Sequence, residues 1–116
     1  MRAALALLLI ACVGPIELKN APLTVTVDVP RHDAKRHLML RMEGISVEGD
    51  VAVWEVRAGD KVAGTLSTYG AQEQNGKFVA EVPVEAGNQR TLRVTFAPTA
   101  RASGTIRIQR LRLVDQ

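Results

Sequence analysis

The sequence predicts an all-β domain, an antiparallel two-sheet β-sandwich of about seven strands that follows an N-terminal signal segment. In segment after segment, apolar residues alternate with polar ones, which is the two-residue period of a strand with one buried face. Turn residues separate these segments about every 8 to 14 residues, the spacing of short strands in a sandwich. An open barrel is the alternative. At 116 residues, the chain has the length of one domain.

The first half of the predicted sandwich begins with the most regular alternation in the chain, at residues 23–29. Pro30 ends this strand because it has no N–H to donate to a neighbouring strand. A charged loop at residues 31–36 leads into a strand at residues 37–47. The apolar phase of that strand changes at Gly44, which predicts a β-bulge there.

The remaining strands are predicted from the same alternation. Trp54 is expected to anchor the core, and Pro83 indicates an edge strand or a strand end. A second change of phase predicts a bulge near Arg110. These strands cover residues 52–56, 62–67, 78–84, 92–96 and 106–113.

The N-terminus has the features of an export signal. Residues 1–11, MRAALALLLIA, carry one positive charge and an apolar run that is too short to span a membrane. The end of this run, Leu9-Ile10-Ala11-Cys12, resembles a bacterial lipobox, so we expect Cys12 to be lipidated; plain secretion is the alternative. Residues 12–22 are predicted to be a tether before the domain at 23–114. We therefore expect an exported, bacterial protein, either a membrane-anchored lipoprotein or a periplasmic or extracellular one.

The positive charge is unevenly distributed. The formal net charge is +3, but the sequence has no acidic residue from Ala86 to Val114. If the strands there alternate, several arginines line an outer sheet face, where they would meet an acidic partner or anionic headgroups, or simply form a solvated face. Nucleic acid is not expected as a partner, because no aromatic residues or nucleic-acid-binding motifs accompany these arginines. The arginines of this segment are Arg90, Arg93, Arg101, Arg107, Arg110 and Arg112.

Three stretches carry a resemblance to a known family. They are LRMEGISVEGDVAVWEVRAG at residues 40–59, VAGTLSTYG at 62–70 and GTIRIQRLRLV at 104–114. Over residues 37–114 the chain resembles the C-terminal β-domain of polyphenol oxidases and tyrosinases, the type-3 copper enzymes. The His-rich helical domain that holds the two coppers in that family has no counterpart in this sequence. The resemblance therefore implies a domain that is not itself an enzyme.

The resemblance implies a function in binding. In that family the C-terminal domain, or a separate small protein, covers the dicopper site, so we expect a lid, an assembly factor or a copper-delivery partner of a dicopper oxidase. Tyr69 is a candidate plug that mimics a phenolic substrate; alternatively, it caps the core with its hydroxyl at the surface. We expect an apolar patch from Leu66 to Gly70 to contact the partner. Further contacts are expected from Arg107, Arg110 and Arg112.

Copper is a possible cofactor, because histidine and methionine side chains cluster before and within the second strand. His37 and Met39 share one face of that strand, and His32 is able to reach back from the loop, so these three are the candidate metal ligands. The alternative is that they are ordinary surface residues. No catalytic residues are predicted, because the strand pattern brings no acid, base and nucleophile together. The alternative function is a structural or interaction module of the cell envelope with no copper role.

Overall fold

The computed structural model describes residues 12–49, 53–68, 76–99 and 104–115. Every element in these ranges is a strand, and none of them contains a helix that could cross a membrane. The strands are β1 Cys12–Val13, β2 Ile16–Leu18, β3 Leu23–Asp28, β4 Leu38–Glu48, β5 Val53–Ala58, β6 Lys61–Ser67, β7 Phe78–Val84, β8 Thr91–Pro98 and β9 Thr105–Val114.

The strands form two antiparallel sheets. In sheet A, β1 and β2 lie along one side of β9, followed by β4 and then β7. In sheet B the order is β3, β8, β5, β6. This architecture confirms the predicted all-β, two-sheet fold. It also places Pro83 on an edge strand, as its missing N–H predicts.

The core lies between the sheets and is made of the inward residues of both. From sheet A, Met42 is opposite Leu111 and both are fully buried. From sheet B, Trp54 is 1% exposed and Phe96 is fully buried, so Trp54 is a core residue as predicted. Burial of each large apolar side chain contributes about 1.5–3 kcal/mol to folding.

Both predicted changes of phase are present, but over its described residues β9 shows no register shift against its partners, so the bulge predicted near Arg110 is wrong. Strand β4 shifts register relative to β7 between Met42 and Ile45, which confirms the bulge at Gly44. In β9 the buried face changes between Ile108 and Leu111. The two strands nevertheless stay paired through this point, because Ile45 is opposite Ile108 and Met42 is opposite Leu111. They therefore change phase together.

Residues 12–22, which are predicted to be a tether, contain the two strands β1 and β2. Cys12 pairs with Arg112 and Ile16 pairs with Ile108, so β1 and β2 form an edge of sheet A. Leu18 is fully buried in the core. Its alternation with Ile16 covers only one period and follows a Gly-Pro pair, which is too short a pattern to identify a strand.

The sandwich has a proximal and a distal end, and different loops lie at each. At the proximal end, where β1 begins, the loop at residues 29–37 lies near the end of β9, because Arg36 forms an ion pair of 3.8 Å with Asp115. The turn at 59–60 and the loop at 85–90 belong to this end as well. At the distal end, Gly49 approaches Gly104 so closely that a Cβ on Gly49 would lie 2.9 Å from the Cα of Gly104.

Candidate functional site

Within the predicted apolar contact patch, the described residues Leu66 and Thr68 are buried. Tyr69 and Gly70 lie outside the described residues. Leu66 is 1% exposed and pairs with Trp54, so it is a core residue and not part of an exposed patch. The prediction was wrong for Leu66 because its phase on β6 points towards the core.

Strand β6 leads to Tyr69 at the distal end. Ser67 is opposite Val53, and the hydroxyl of Thr99 donates a hydrogen bond of 2.7 Å to the carbonyl oxygen of Val53. The end of β6, the start of β5 and the end of β8 therefore lie side by side at the distal end. Thr68, the last described residue of this segment, is fully buried there.

Two of the candidate partner-binding arginines converge on one carboxylate on the outer face of sheet A. An Nη of Arg110 lies 3.6 Å and an Nη of Arg112 3.3 Å from the carboxylate oxygens of Glu43. The Nε of Arg41 lies 2.8 Å from the same carboxylate, as an ion pair without a linear hydrogen bond. The side chain of Glu43 is only 20% exposed. We call Glu43 with these three arginines the Glu43 cluster.

The Glu43 cluster extends to the edge of the sheet, because Arg41 also lies 3.5 Å from Glu81. Three arginines with two glutamates leave a formal charge of +1, so most of the positive charge is compensated within the sheet. An acidic partner at Arg110 or Arg112 would compete with Glu43. Only the register of β4 against β9 reveals this carboxylate; the local sequence around the arginines gave no signal for it.

Arg107 lies in a different place. It is on the distal side of the phase change, exposed, and opposite Glu17 on β2 and Ser46 on β4. Together with Glu48 it lines a shallow cleft. The three arginines that the sequence grouped therefore lie at two places on the outer face of sheet A, with Arg110 and Arg112 in the Glu43 cluster and Arg107 nearer the distal end.

His32 has one ring nitrogen engaged. Its Nδ1 lies 2.9 Å from the carbonyl oxygen of Pro30, which accepts a hydrogen bond from the protonated nitrogen. This bond leaves Nε2 as the acceptor in the neutral ring. Nε2 is buried and has no hydrogen-bond partner among the described residues. The ring lies in a cleft beside the turn that contains Asn88.

His37 and Met39 have other neighbours. The Nε2 of His37 lies 3.5 Å from a carboxylate oxygen of Glu85, in a cleft that Pro83 also lines. Met39 is half-buried on the outer face of sheet A, opposite Pro83 and Val114.

Of the candidate copper ligands, His32 and His37 thus line separate clefts, and Met39 lies on the outer face of sheet A. Within the described ranges no three or more His, Cys, Asp or Glu side chains are grouped to hold a metal ion. A copper site made of His32, His37 and Met39 would have to bring together ligands from these separate places. It stays a prediction.

The comparisons with known proteins bear on the fold. No protein-family model matches the sequence, and no curated protein matches it. A solved structure of a recombinantly expressed latent aurone synthase, a polyphenol oxidase, is similar with a TM-score of 0.64 and 16% sequence identity. The similarity covers 86% of this chain and 25% of that chain. At this identity the likeness shows the fold alone, and it is consistent with one domain of a polyphenol oxidase.

Proposed function

We propose that this chain is a non-catalytic binding domain that docks on a type-3 dicopper oxidase as a lid, an assembly factor or a copper-delivery partner. The observation that carries the proposal is the similarity to a polyphenol oxidase structure, at a TM-score of 0.64 over 86% of this chain but only 25% of that chain. A domain with the fold of one part of a larger enzyme has the size and shape to complete a partner that lacks this part.

The distal end is the surface we assign to the partner. It receives the end of β6, the strand that precedes Tyr69; β5 lies beside this strand, and β8 lies on the other side of β5. Tyr69 contributes a flat, amphipathic side chain of the kind that anchors protein interfaces. Arg107 flanks this end from the outer face of sheet A and adds a charged contact at the rim.

The experiment is a capture of the partner from native envelope extract by the chain from Cys12 to Gln116, immobilised on beads. This chain is chosen because β1 and β2 belong to the sheet. Mass spectrometry is expected to identify a dicopper oxidase among the bound proteins. Tyr69→Ala is expected to lower its recovery at least tenfold without changing the unfolding temperature, because interface anchors of this type contribute about 2 kcal/mol or more.

The matched control is Val62→Ala, which changes a side chain that is 57% exposed at the proximal end. It is expected to leave the recovery of the oxidase unchanged. If an extract that contains a dicopper oxidase yields none of it on the beads, the lid and assembly roles are excluded.

The copper-delivery role has its own test. The chain is titrated with Cu(I) in competition with a chromophoric chelator, and His37→Ala is compared with the unaltered chain. Copper delivery requires binding that His37→Ala weakens at least tenfold, since imidazole and thioether ligands would share the ion. A chain that removes no copper from the chelator would not be a delivery partner, whereas the lid role would remain.

A second candidate function is a structural or interaction module of the cell envelope without a copper role. It is favoured because several residues that are predicted to bind the partner contact other residues within the domain instead. Leu66 is in the core, and Arg110 and Arg112 are paired with Glu43. The same capture experiment separates the two candidates, because this module would bring down an envelope protein without a dicopper centre.

A further inference from the structure

We propose that the proximal end of the sandwich lies directly against a membrane surface that carries anionic lipids, with the loop at residues 31–37 as the contact. This orientation rests on the predicted membrane anchor and does not depend on the proposed oxidase partner. This contact assigns a lipid partner to the charged loop, which the proposed oxidase-binding function does not involve.

The first step of the argument is the point where the chain enters the domain. The apolar run of residues 3–11 is followed immediately by Cys12, which already pairs with Arg112 in sheet A. Each residue of chain spans at most about 3.6 Å, so an anchor at or just before Cys12 holds this end of the sheet within a few ångströms of the lipid. The predicted tether would have allowed any orientation, but β1 and β2 occupy its place.

The second step is the position of the charged loop. The loop at 31–37 lies at the same end as Cys12, because Arg36 pairs with Asp115, three residues beyond Arg112. It is therefore beside the anchor and not across the sandwich from it.

The third step is the charge of this loop. Arg31, Lys35 and Arg36 are exposed, and the carboxylates beside them are those of Asp33 in the loop and of Asp115, which pairs with Arg36, so three positive charges lie with two negative charges. An oxygen of Asp33 accepts a hydrogen bond of 2.9 Å from the backbone N–H of Lys35, so this carboxylate is engaged in the loop itself. Each cation near an anionic surface adds roughly fivefold to the affinity.

The orientation has a consequence for the rest of the molecule. The distal end, with Gly49 and Gly104, points away from the lipid, and the molecule measures 37 × 36 × 24 Å. A surface at that end is therefore open to a partner in the surrounding compartment while the domain stays anchored.

The lysines of the chain test the orientation without any substitution. Lys35 and Lys61 lie at the proximal end, and Lys61 is 82% exposed. Lys19 and Lys77 lie on the distal side, and Lys19 is 72% exposed. The chain is isolated with its own N-terminus from the membrane fraction and added to preformed vesicles of phosphatidylcholine with about 30% phosphatidylglycerol, a fraction chosen to approximate an anionic membrane. A membrane-impermeant amine-acetylating reagent then modifies accessible lysines, which mass spectrometry quantifies.

On these vesicles Lys35 and Lys61 are expected to react at least threefold more slowly than in detergent micelles, whereas Lys19 and Lys77 react at the same rate in both. Vesicles of phosphatidylcholine alone are expected to protect Lys35 less. Equal reactivity of all four lysines, stronger protection of Lys19 and Lys77, or absence of the chain from the membrane fraction would each overturn the proposal.

A pair of charge reversals isolates the contribution of the loop. Arg31→Glu is expected to restore the reactivity of Lys35 on the anionic vesicles to at least half its value in detergent. Arg107→Glu makes the same change of charge on the distal side and is expected to leave the protection of Lys35 unchanged. If both variants lose the protection of Lys35 to the same extent, membrane binding depends on the net charge of the protein and not on the charge of this loop.

Discussion

Gly44 and Gln109 lie against each other in the central strand pair of sheet A, so closely that a Cβ added at Gly44 would be 2.7 Å from the Cβ and Cγ of Gln109. Gly44 has a φ of 66°, and both strands change their buried face at this level. From the other side of β9, Gly14 also meets the backbone of Gln109 at a distance that no side chain would tolerate. Gly14, Gly44 and Gln109 thus lie at the same level of three neighbouring strand segments.

Gly44→Ala is expected to destabilise the domain by about 3 kcal/mol. For a residue with a side chain, the left-handed backbone conformation costs about 1–2 kcal/mol. The clash of the added Cβ with Gln109 adds about as much again. The clash is not relieved by rotation, because the Cβ of Gln109 is fixed to its backbone. Denaturant unfolding followed by the fluorescence of Trp54 measures the change.

Gly59→Ala is the matched control for this substitution. Gly59 has a similar φ of 62°, but a Cβ there meets nothing within 4 Å. It is expected to cost only about 1 kcal/mol, the conformational part alone. Equal losses at the two positions would contradict the close packing of Gly44 on Gln109.

Leu66→Ala is expected to destabilise the domain by about 2–5 kcal/mol, because the side chain is 1% exposed and its removal leaves a cavity beside Trp54. Val62→Ala on the same strand removes a side chain that is 57% exposed and is expected to change the stability by less than about 0.5 kcal/mol. Thermal unfolding of both variants checks the difference. A stable Leu66→Ala would return Leu66 to the surface patch that the sequence suggested.

Leu18→Ala tests whether β2 is part of the sandwich. Leu18 is fully buried, so we expect a loss of about 2–5 kcal/mol in the free energy of unfolding. Lys19→Ala, at a neighbouring side chain that is 72% exposed, is expected to be neutral within about 0.5 kcal/mol. If both substitutions are neutral, residues 12–22 are a tether after all.

Glu43→Gln is expected to destabilise the domain by about 1–2 kcal/mol at low salt. The substitution leaves Arg41, Arg110 and Arg112 without their shared carboxylate, so like charges face each other in a partly buried place. Added salt screens this repulsion, so part of the loss is expected to be regained at about 0.5 M salt. Urea unfolding at two ionic strengths provides the measurement.

Glu85→Gln is the control for the Glu43 cluster. Glu85 is 64% exposed and pairs with His37 and Lys61 at the proximal end. Its removal is expected to change the stability by less than about 0.5 kcal/mol at either ionic strength, because exposed ion pairs contribute little. An equal loss at both positions would mean that the partial burial of Glu43 has no energetic effect.

Several features of the fold follow from short-range patterns. The alternation at residues 23–29, the phase change at Gly44 and the position of Pro83 are each readable within a few residues. The structure confirms all three. The edge strand at residues 16–18 was missed because one period of alternation does not stand out against its Gly-Pro neighbours.

The candidate site was less predictable, since it depends on which side of each strand is covered. Leu66 was placed on a surface because the segment next to Tyr69 is apolar, whereas the pairing of Leu66 with Trp54 turns it inwards. His32 and His37 are near each other in the sequence, yet the loop between them places them in separate clefts.

By itself the sequence determined the all-β class, most of the strands and both changes of phase, because period-two burial is a local property of the chain. Only the tertiary structure decided that Glu43 would lie among three arginines and that Gly14 and Gly44 would both press on Gln109. These neighbours are set by the register between strands that are far apart in the chain. The alternation excludes a shift of one residue, which would exchange every inward side chain for an outward one. A shift of two residues keeps the faces and changes the partners, so no local pattern specifies which residues lie opposite each other.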